Sequence, residues 1–426
     1  MVPQIVRFHG PLALEPLRHA LLVAQSLHPF LGVRIVDEGD HFTFQSAKIV
    51  SKAERLAAVP LMVVKREDER HWEHLAEAEL QVDFPGPFAW RCTYLRNERA
   101  DGDHELVLVF HHSISDGIST TQLVQELFAA CGGDAQNETG PVATRQPVLP
   151  PVEQMLPVAT DEAVTTHEDV LLQIPFHDRA PIHQRKTRLF FRHLHAPDLA
   201  AFRRRCKTAG SSVNGGVTAA FLLALHAHNA VGSVPFGNAV SLRDYCQPEE
   251  LWKIDNLKFG CYVMVVGTVH EMKAQAGFWD LARRCRQDLK GVMADAAKQG
   301  FLPRDFDKNE FERMQQEGTQ ALDQAGLFAM NGAMSNLGVL DFPEKYGPIT
   351  LKELYFATAQ PTPHFAMALY LLTLHGKLFC CFSSCEPLYD PEKASRVADK
   401  TMDLMRRACQ DSDDPLFSDS VPKEDG

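Results

Sequence analysis

Leu106 to Phe110 is an unbroken apolar run that stops abruptly at His111-His112-Ser113-Ile114-Ser115-Asp116-Gly117. A short run without polar alternation reads as a strand covered on both faces. From Ser119 to Ala130 the apolar side chains Leu123, Leu127 and Phe128 return at helical spacing. A covered strand that feeds a helix through a polar turn demands layers of sheet and helix. It also sets the two histidines at a strand end, where rigid backbone holds them and a loop exposes them.

The rest of the chain fits that class. Leu14, Leu17, Leu21, Ala24 and Leu27 recur every three or four residues, so a helix is expected over 12–27, ended by His28-Pro29. Strands are expected at Gly32–Val36, Ala89–Leu95, Arg188–Leu194, Tyr262–Val269, Met367–Leu374 and Leu378–Phe382. Helices are expected around Leu199, Phe202 and Cys206, from Asn214-Gly215-Gly216 through Leu225, and from Pro391 to about Arg407, where proline suits a first turn. Residues 132–186, rich in Pro, Thr, Gln and Asp, read as a long crossover between two halves. The expectation is an α/β (α+β sandwich) fold with an N-terminal lobe over 1–165, a linker over 166–186 and a C-terminal lobe over 187–426.

Of 426 residues, 45% are apolar and 23% charged, enough to build a sizeable core. The net charge of -12 argues against a nucleic-acid surface, which needs clustered excess Lys and Arg. The ten cysteines follow no zinc or disulfide spacing, and GKLFCCFSSC reads as a buried strand. The opening MVPQIVRFHG lacks a secretion signal, and no apolar run approaches the roughly 20 residues that span a bilayer. A cytoplasmic protein without metal or transmembrane segment is expected.

Histidine is the side chain best suited to take and return a proton near neutral pH. Adjacent side chains on an extended backbone point to opposite faces, so one histidine should meet the reaction and the other should pack. Asp116 could orient the imidazole or hold the loop, and Gly117 could supply backbone angles that a Cβ resists. A structural histidine pair, a metal site on His111, His112 and Asp116, and a Ser-His-Asp hydrolase are the competing readings. No other His, Asp or Glu cluster supports the metal, and no G-x-S-x-G elbow supports the hydrolase. Spacing alone leaves these open.

FHHSISDGIS resembles the HHxxxDG signature of the condensation-domain and chloramphenicol-acetyltransferase-like superfamily. LHPFLGVRIV (27–36) resembles that group's N-terminal helix end and first strand, and PGPFAWRCTYL (85–95) the strand before the motif strand. GSSVNGGVTAAFLLAL (210–225), NAVSLRDY (238–245) and MSNLGVLDFP (334–343) resemble, in order, the second-lobe helix, the arginine-bearing strand end and a late Ser-Asn segment. The DFGWG block of plant members is absent. No carrier or adenylation domain is attached, so a freestanding enzyme of the condensation, alcohol-acetyltransferase or polyketide-associated kind is expected.

The resemblance implies two lobes around a central solvent channel, with His112 as general base and direct transfer without an acyl-enzyme. It implies a loop-holding role for Asp116, with Arg243 as its partner and His111 as support, and Ser335 and Asn336 as donors near the thioester carbonyl. The implied substrates are an acyl-CoA or acyl-carrier-protein thioester and an alcohol or amine acceptor, met by a monomer without a bound cofactor. Arg185, Lys186 and Arg188, then Arg203, Arg204, Arg205 and Lys207, are candidates for the donor's phosphates. A hydrated helix face is the plainer account of that basic run. A catalytically silent binding protein of the same fold and a thioester hydrolase are the remaining alternatives.

Overall fold

The computed structural model describes residues 1–39, 41–46, 52–84, 86–99, 102–133, 145–157, 173–246, 258–272, 277–301 and 308–410. The first half runs β1 (Val2–His9), α1 (Leu14–Leu27), β2 (Val33–Asp37), β3 (Phe42–Ser46), α2 (Lys52–Ala58), β4 (Leu61–Lys65), α3 (His71–Glu79), β5 (Trp90–Arg96), β6 (Asp103–Phe110) and α4 (Gly117–Gly132). The second runs β7 (Lys186–Leu194), α5 (Ala196–Thr208), α6 (Val213–Asn229), β8 (Ser233–Ser241), β9 (Val263–Glu271), α7 (Phe278–Gln299) and α8 (Lys308–Ala325). It ends with β10 (Met330–Leu340), β11 (Lys345–Tyr346), β12 (Ile349–Phe356), β13 (Phe365–Leu374), β14 (Lys377–Glu386) and α9 (Pro391–Arg407). The fold is mixed α/β, as expected. Much of the expected crossover, 134–144 and 158–172, lies outside the described residues.

Two compact units divide the chain, and they do not follow chain order. The first comprises Met1–Pro151, Pro248–Val263 and Val339–Ala359. Its sheet has the order β11-β12-β1-β6-β5-β4, with β2-β3 a separate hairpin. Strand pairing explains the membership of the late segment: β12 lies antiparallel against β1, with Ile5 opposite Tyr355 and Val6 opposite Leu354. β6 sits between β1 and β5, antiparallel to both. Glu105 through Phe110 are fully buried, which is why this strand lacks alternation.

Sequence reasoning passed over β1, which supplies the chain's first strand ahead of the Leu27–Val36 segment. Its Val2, Ile5, Val6 and Phe8 are buried, but Pro3, Gln4 and Arg7 interrupt the apolar pattern. The buried Gln4 is accommodated because its Nε2 donates to Thr120 Oγ1 (2.7 Å) and Thr121 Oγ1 (3.1 Å) on α4.

The second unit comprises Val152–Gln247, Met264–Gly338 and Gln360–Gly426. Its sheet has the order β7-β14-β13-β10-β8-β9. β8 and β10 run parallel, and β7, β14 and β13 form an antiparallel run. α6 is the core helix, with Val217 and Ala219 through Leu225 fully buried. That apolar length packs inside the unit, and among the described residues no single helix is long and apolar enough to cross a membrane. Leu199, Phe202 and Cys206 of α5 face the same core, as their spacing predicts.

Candidate active site

β6 delivers the motif. His111 leaves the strand with its backbone N–H still donating to Ala89 O at 2.8 Å, and His112–Ile114 makes a single 3-10 turn. His111 Nδ1 accepts from the Ser113 N–H (3.2 Å) and lies 2.7 Å from the Ser113 hydroxyl. A nitrogen that accepts an N–H carries no proton of its own, so neutral His111 holds its proton on Nε2. Phe84 stands edge-on to the ring at 6.1 Å between centroids. His111 therefore braces the turn.

The His112 ring goes elsewhere. Its Nδ1 lies 3.6 Å from Cys261 Sγ, 149 residues away in sequence. The ring is half-buried. Burial pushes its pKa below the ordinary 6.5, assisted by the N-terminal ammonium and opposed by the backbone of His112 and Ser115 and by the Asp116 charge. The result is an imidazole that stays neutral near pH 7, the state a general base requires.

Asp116 touches His112 through its field and holds the backbone by contact. Its Oδ1 accepts the Ser119 N–H at 2.9 Å and so caps α4. Its Oδ2 accepts the Tyr262 N–H at 2.9 Å. One buried carboxylate thus ties the motif, the start of α4 and the segment 258–262 together. Gly117 is the first residue of α4 in helical conformation, so the unusual backbone angles expected there are not used.

Further bonds fix the 258–262 segment. Ser119 Oγ donates to Gly260 O (2.8 Å) and accepts the Gly260 N–H (3.1 Å). Gln146 Oε1 accepts the Phe259 N–H at 3.2 Å. The Phe259 ring packs near Phe110 (5.9 Å) and His28 (5.4 Å). His28 Nε2 in turn lies 2.6 Å from Glu126 Oε2. Cys261 was missed by sequence reasoning, and no local pattern around it marks a site.

The remaining candidates belong to the second unit. Ser335 is half-buried on β10, opposite Ala239 of β8. Asn336 Nδ2 donates to Asn214 Oδ1 at 3.0 Å, and its Oδ1 accepts the Gly338 N–H at 2.8 Å, where Gly338 takes φ +75°. The Asn336 amide therefore stitches β10 to α6 and holds the positive-φ backbone at Gly338 within β10. Arg243 is buried in the turn after β8, its N–H donating to Ser241 Oγ at 3.3 Å.

The basic candidates divide in two. Arg185 is buried, donating to Ala180 O, Pro361 O and Asp323 Oδ1, and Arg188 pairs with Glu386. Both serve the fold. Lys186, Arg203, Arg204 and Lys207 are exposed. Arg205 lies over Trp279 at 5.9 Å.

The family model for the condensation domain matches residues 1–425. The chain belongs to the condensation-domain family. This condensation-domain chain is 33% identical over 129 residues to nonribosomal peptide synthetase kk1B of Curvularia clavata, a stretch that is 30% of the chain and only 1% of the synthetase. Its fold is shared with TRI3 trichothecene 15-O-acetyltransferase from Fusarium sporotrichioides: TM-score 0.71, 12% identity, 96% of this chain and 91% of that one. It is shared too with polyketide synthase associated protein 5 from Mycobacterium tuberculosis: TM-score 0.63, 15% identity, 96% and 93% of the two chains. At such identities the likeness speaks for the fold of the condensation domain.

Proposed function

We propose that the chain transfers an acyl group from a coenzyme A or carrier-protein thioester to the hydroxyl of a small alcohol, with His112 as general base. The observation that carries this is the half-buried imidazole at the end of a rigid strand, with Nδ1 turned to Cys261 and burial favouring its neutral form. That orientation leaves Nε2 to take the acceptor's proton as its oxygen attacks the thioester carbonyl. The C–S bond then breaks, and the proton passes from His112 to the departing thiolate, so no acyl-enzyme forms.

Attack builds charge on the carbonyl oxygen, for which donors aimed at that position matter. Ser335 and the second hydrogen of Asn336 Nδ2 are the proposed donors, and Arg243 the proposed partner of Asp116. Lys186 and Arg203 are the proposed contacts for donor phosphates, because both are exposed. Hydroxyl acylation is supported by the likeness to a protein named as an O-acetyltransferase. Amide formation uses the same residues and is favoured by the relative named as a peptide synthetase.

His112→Ala should lower kcat by roughly 10²- to 10⁴-fold, the usual share of a general base. Thiol release from acyl-CoA or an acylated carrier, measured with alcohols, with amines and with neither, separates the readings. Equal turnover by wild type and His112→Ala would reject the base. Release indifferent to acceptor would indicate hydrolysis, and no release from any donor a silent binding protein.

A further inference from the structure

Cys261 comes from far along the chain, yet its place beside His112 is built by bonds on either side. The Tyr262 N–H is held by Asp116 and the Gly260 backbone by Ser119, both within or next to the motif. Phe259, two residues before the thiol, is anchored by Gln146 and by the Phe110 ring. The Sγ···Nδ1 separation of 3.6 Å is within hydrogen-bonding reach for the larger sulfur atom.

We propose that Cys261 is a positioning residue for His112 and the modification site through which thiol-reactive electrophiles switch the base off. The proton sits on Nδ1, facing the sulfur, and Nε2 keeps its lone pair for the acceptor. The sulfur also keeps water from that side of the ring. Cys261 is in no disulfide and is half-buried, as are Cys131 and Cys409, whereas Cys92, Cys206, Cys246, Cys285, Cys380, Cys381 and Cys385 are buried; what distinguishes Cys261 is its place against the His112 ring. A small electrophile can therefore reach it. With methyl methanethiosulfonate, the Cys261 thiolate attacks the sulfenyl sulfur and methanesulfinate leaves. The product, a methyl disulfide on Cys261, wedges a group against Nδ1 until dithiothreitol reduces it.

This inference rests on His112 being the base, so the test pairs activity with a readout that does not depend on turnover. In Cys261→Ala, kcat should fall roughly tenfold with KM nearly unchanged, as for a slightly misplaced catalytic group. The acid limb of its pH profile should move up toward the ordinary histidine value, because water admitted beside the ring relieves desolvation. Nitrogen NMR of His112 should show a single tautomer in the wild type and a mixture in the variant. The reagent should abolish wild-type activity with Cys261 labelled by mass spectrometry. Dithiothreitol should restore it, and Cys261→Ala should keep its residual rate.

Wild-type kcat and an unmoved acid limb in Cys261→Ala would overturn the proposal. So would full activity with Cys261 labelled, or no label on Cys261 at all. If Cys261→Ala does not fold, reversible labelling of the wild type decides alone. An active His112→Ala would instead reject the base reading, with the tautomer still testing the sulfur contact.

Discussion

Burial sets the working range of His112. The imidazole is neutral when its pKa lies below the ambient pH, and desolvation holds that value under 6.5. For a base that must be unprotonated, a lowered pKa extends activity toward acid. kcat/KM should therefore rise with pH to a plateau, with the half-maximal point on the acid side below 6.5. A pH–rate profile with its acid limb at or above that value would contradict the environment described. The motif histidine was legible because two imidazoles, a carboxylate and a glycine after a covered strand are chemically conspicuous. A loop-holding role for Asp116 was implied by the resemblance, but its partners were not legible, since its oxygens accept backbone N–H groups at Ser119 and Tyr262. Cys261 was further hidden, because proximity across 149 residues leaves no local trace.

At the scale of elements, periodicity found those whose burial is one-sided or complete, such as α1, β6, α9 and the β13-β14 pair. It missed β1, where a central strand carries a buried glutamine whose amide nitrogen donates to Thr120 and Thr121, and an arginine held by Glu105 and Glu353. The Asn-Gly-Gly start of α6 announced a helix but not the reason for its glycines. A Cβ on Gly215 would lie 2.5 Å from the Ala282 carbonyl oxygen of α7, a backbone atom that cannot swing away. A Cβ on Gly216 would meet the ends of Phe202 (2.8 Å) and Cys206 (3.0 Å), side chains with some freedom to move. Alanine gains up to about 1 kcal/mol in helix propensity at either site, while overpacking costs about 1–3 kcal/mol. Gly215→Ala should therefore destabilise on balance and Gly216→Ala should do so less, as chemical denaturation of the two variants will show. The reverse order would mean that α7 yields more readily than the side chains of α5.

For the whole molecule, strand pairing rather than chain order defines what folds together. A reading along the chain places an N-terminal lobe at 1–165, yet the first unit borrows Pro248–Val263 and Val339–Ala359. Composition cannot reveal such a return, because β12 looks like any strand until its partner is known. The borrowed pieces are substantial for this unit. β12 covers the edge of β1 and brings the buried Leu351, Leu354, Tyr355 and Phe356, and Tyr355 stacks on Trp72 at 5.9 Å. The 258–262 segment fills the space beside Phe110 and satisfies Asp116 and Ser119. A fragment of residues 1–151 would expose those apolar faces and leave the ladder groups of β1 unpaired on one side, an invitation to aggregation. Burying a large aliphatic or aromatic side chain contributes about 1.5–3 kcal/mol, so losing four such residues of β12 removes about 6–12 kcal/mol, comparable to the 5–15 kcal/mol typical of a domain. The fragment should therefore elute as aggregate or expanded chain, without a cooperative melt. Joining 339–359 to its end through a flexible linker should recover part of the near-ultraviolet circular dichroism. A monomeric fragment that melts cooperatively without that segment would show that the first β6-centred strands suffice, and that β12 is an addition rather than a part of the folding unit.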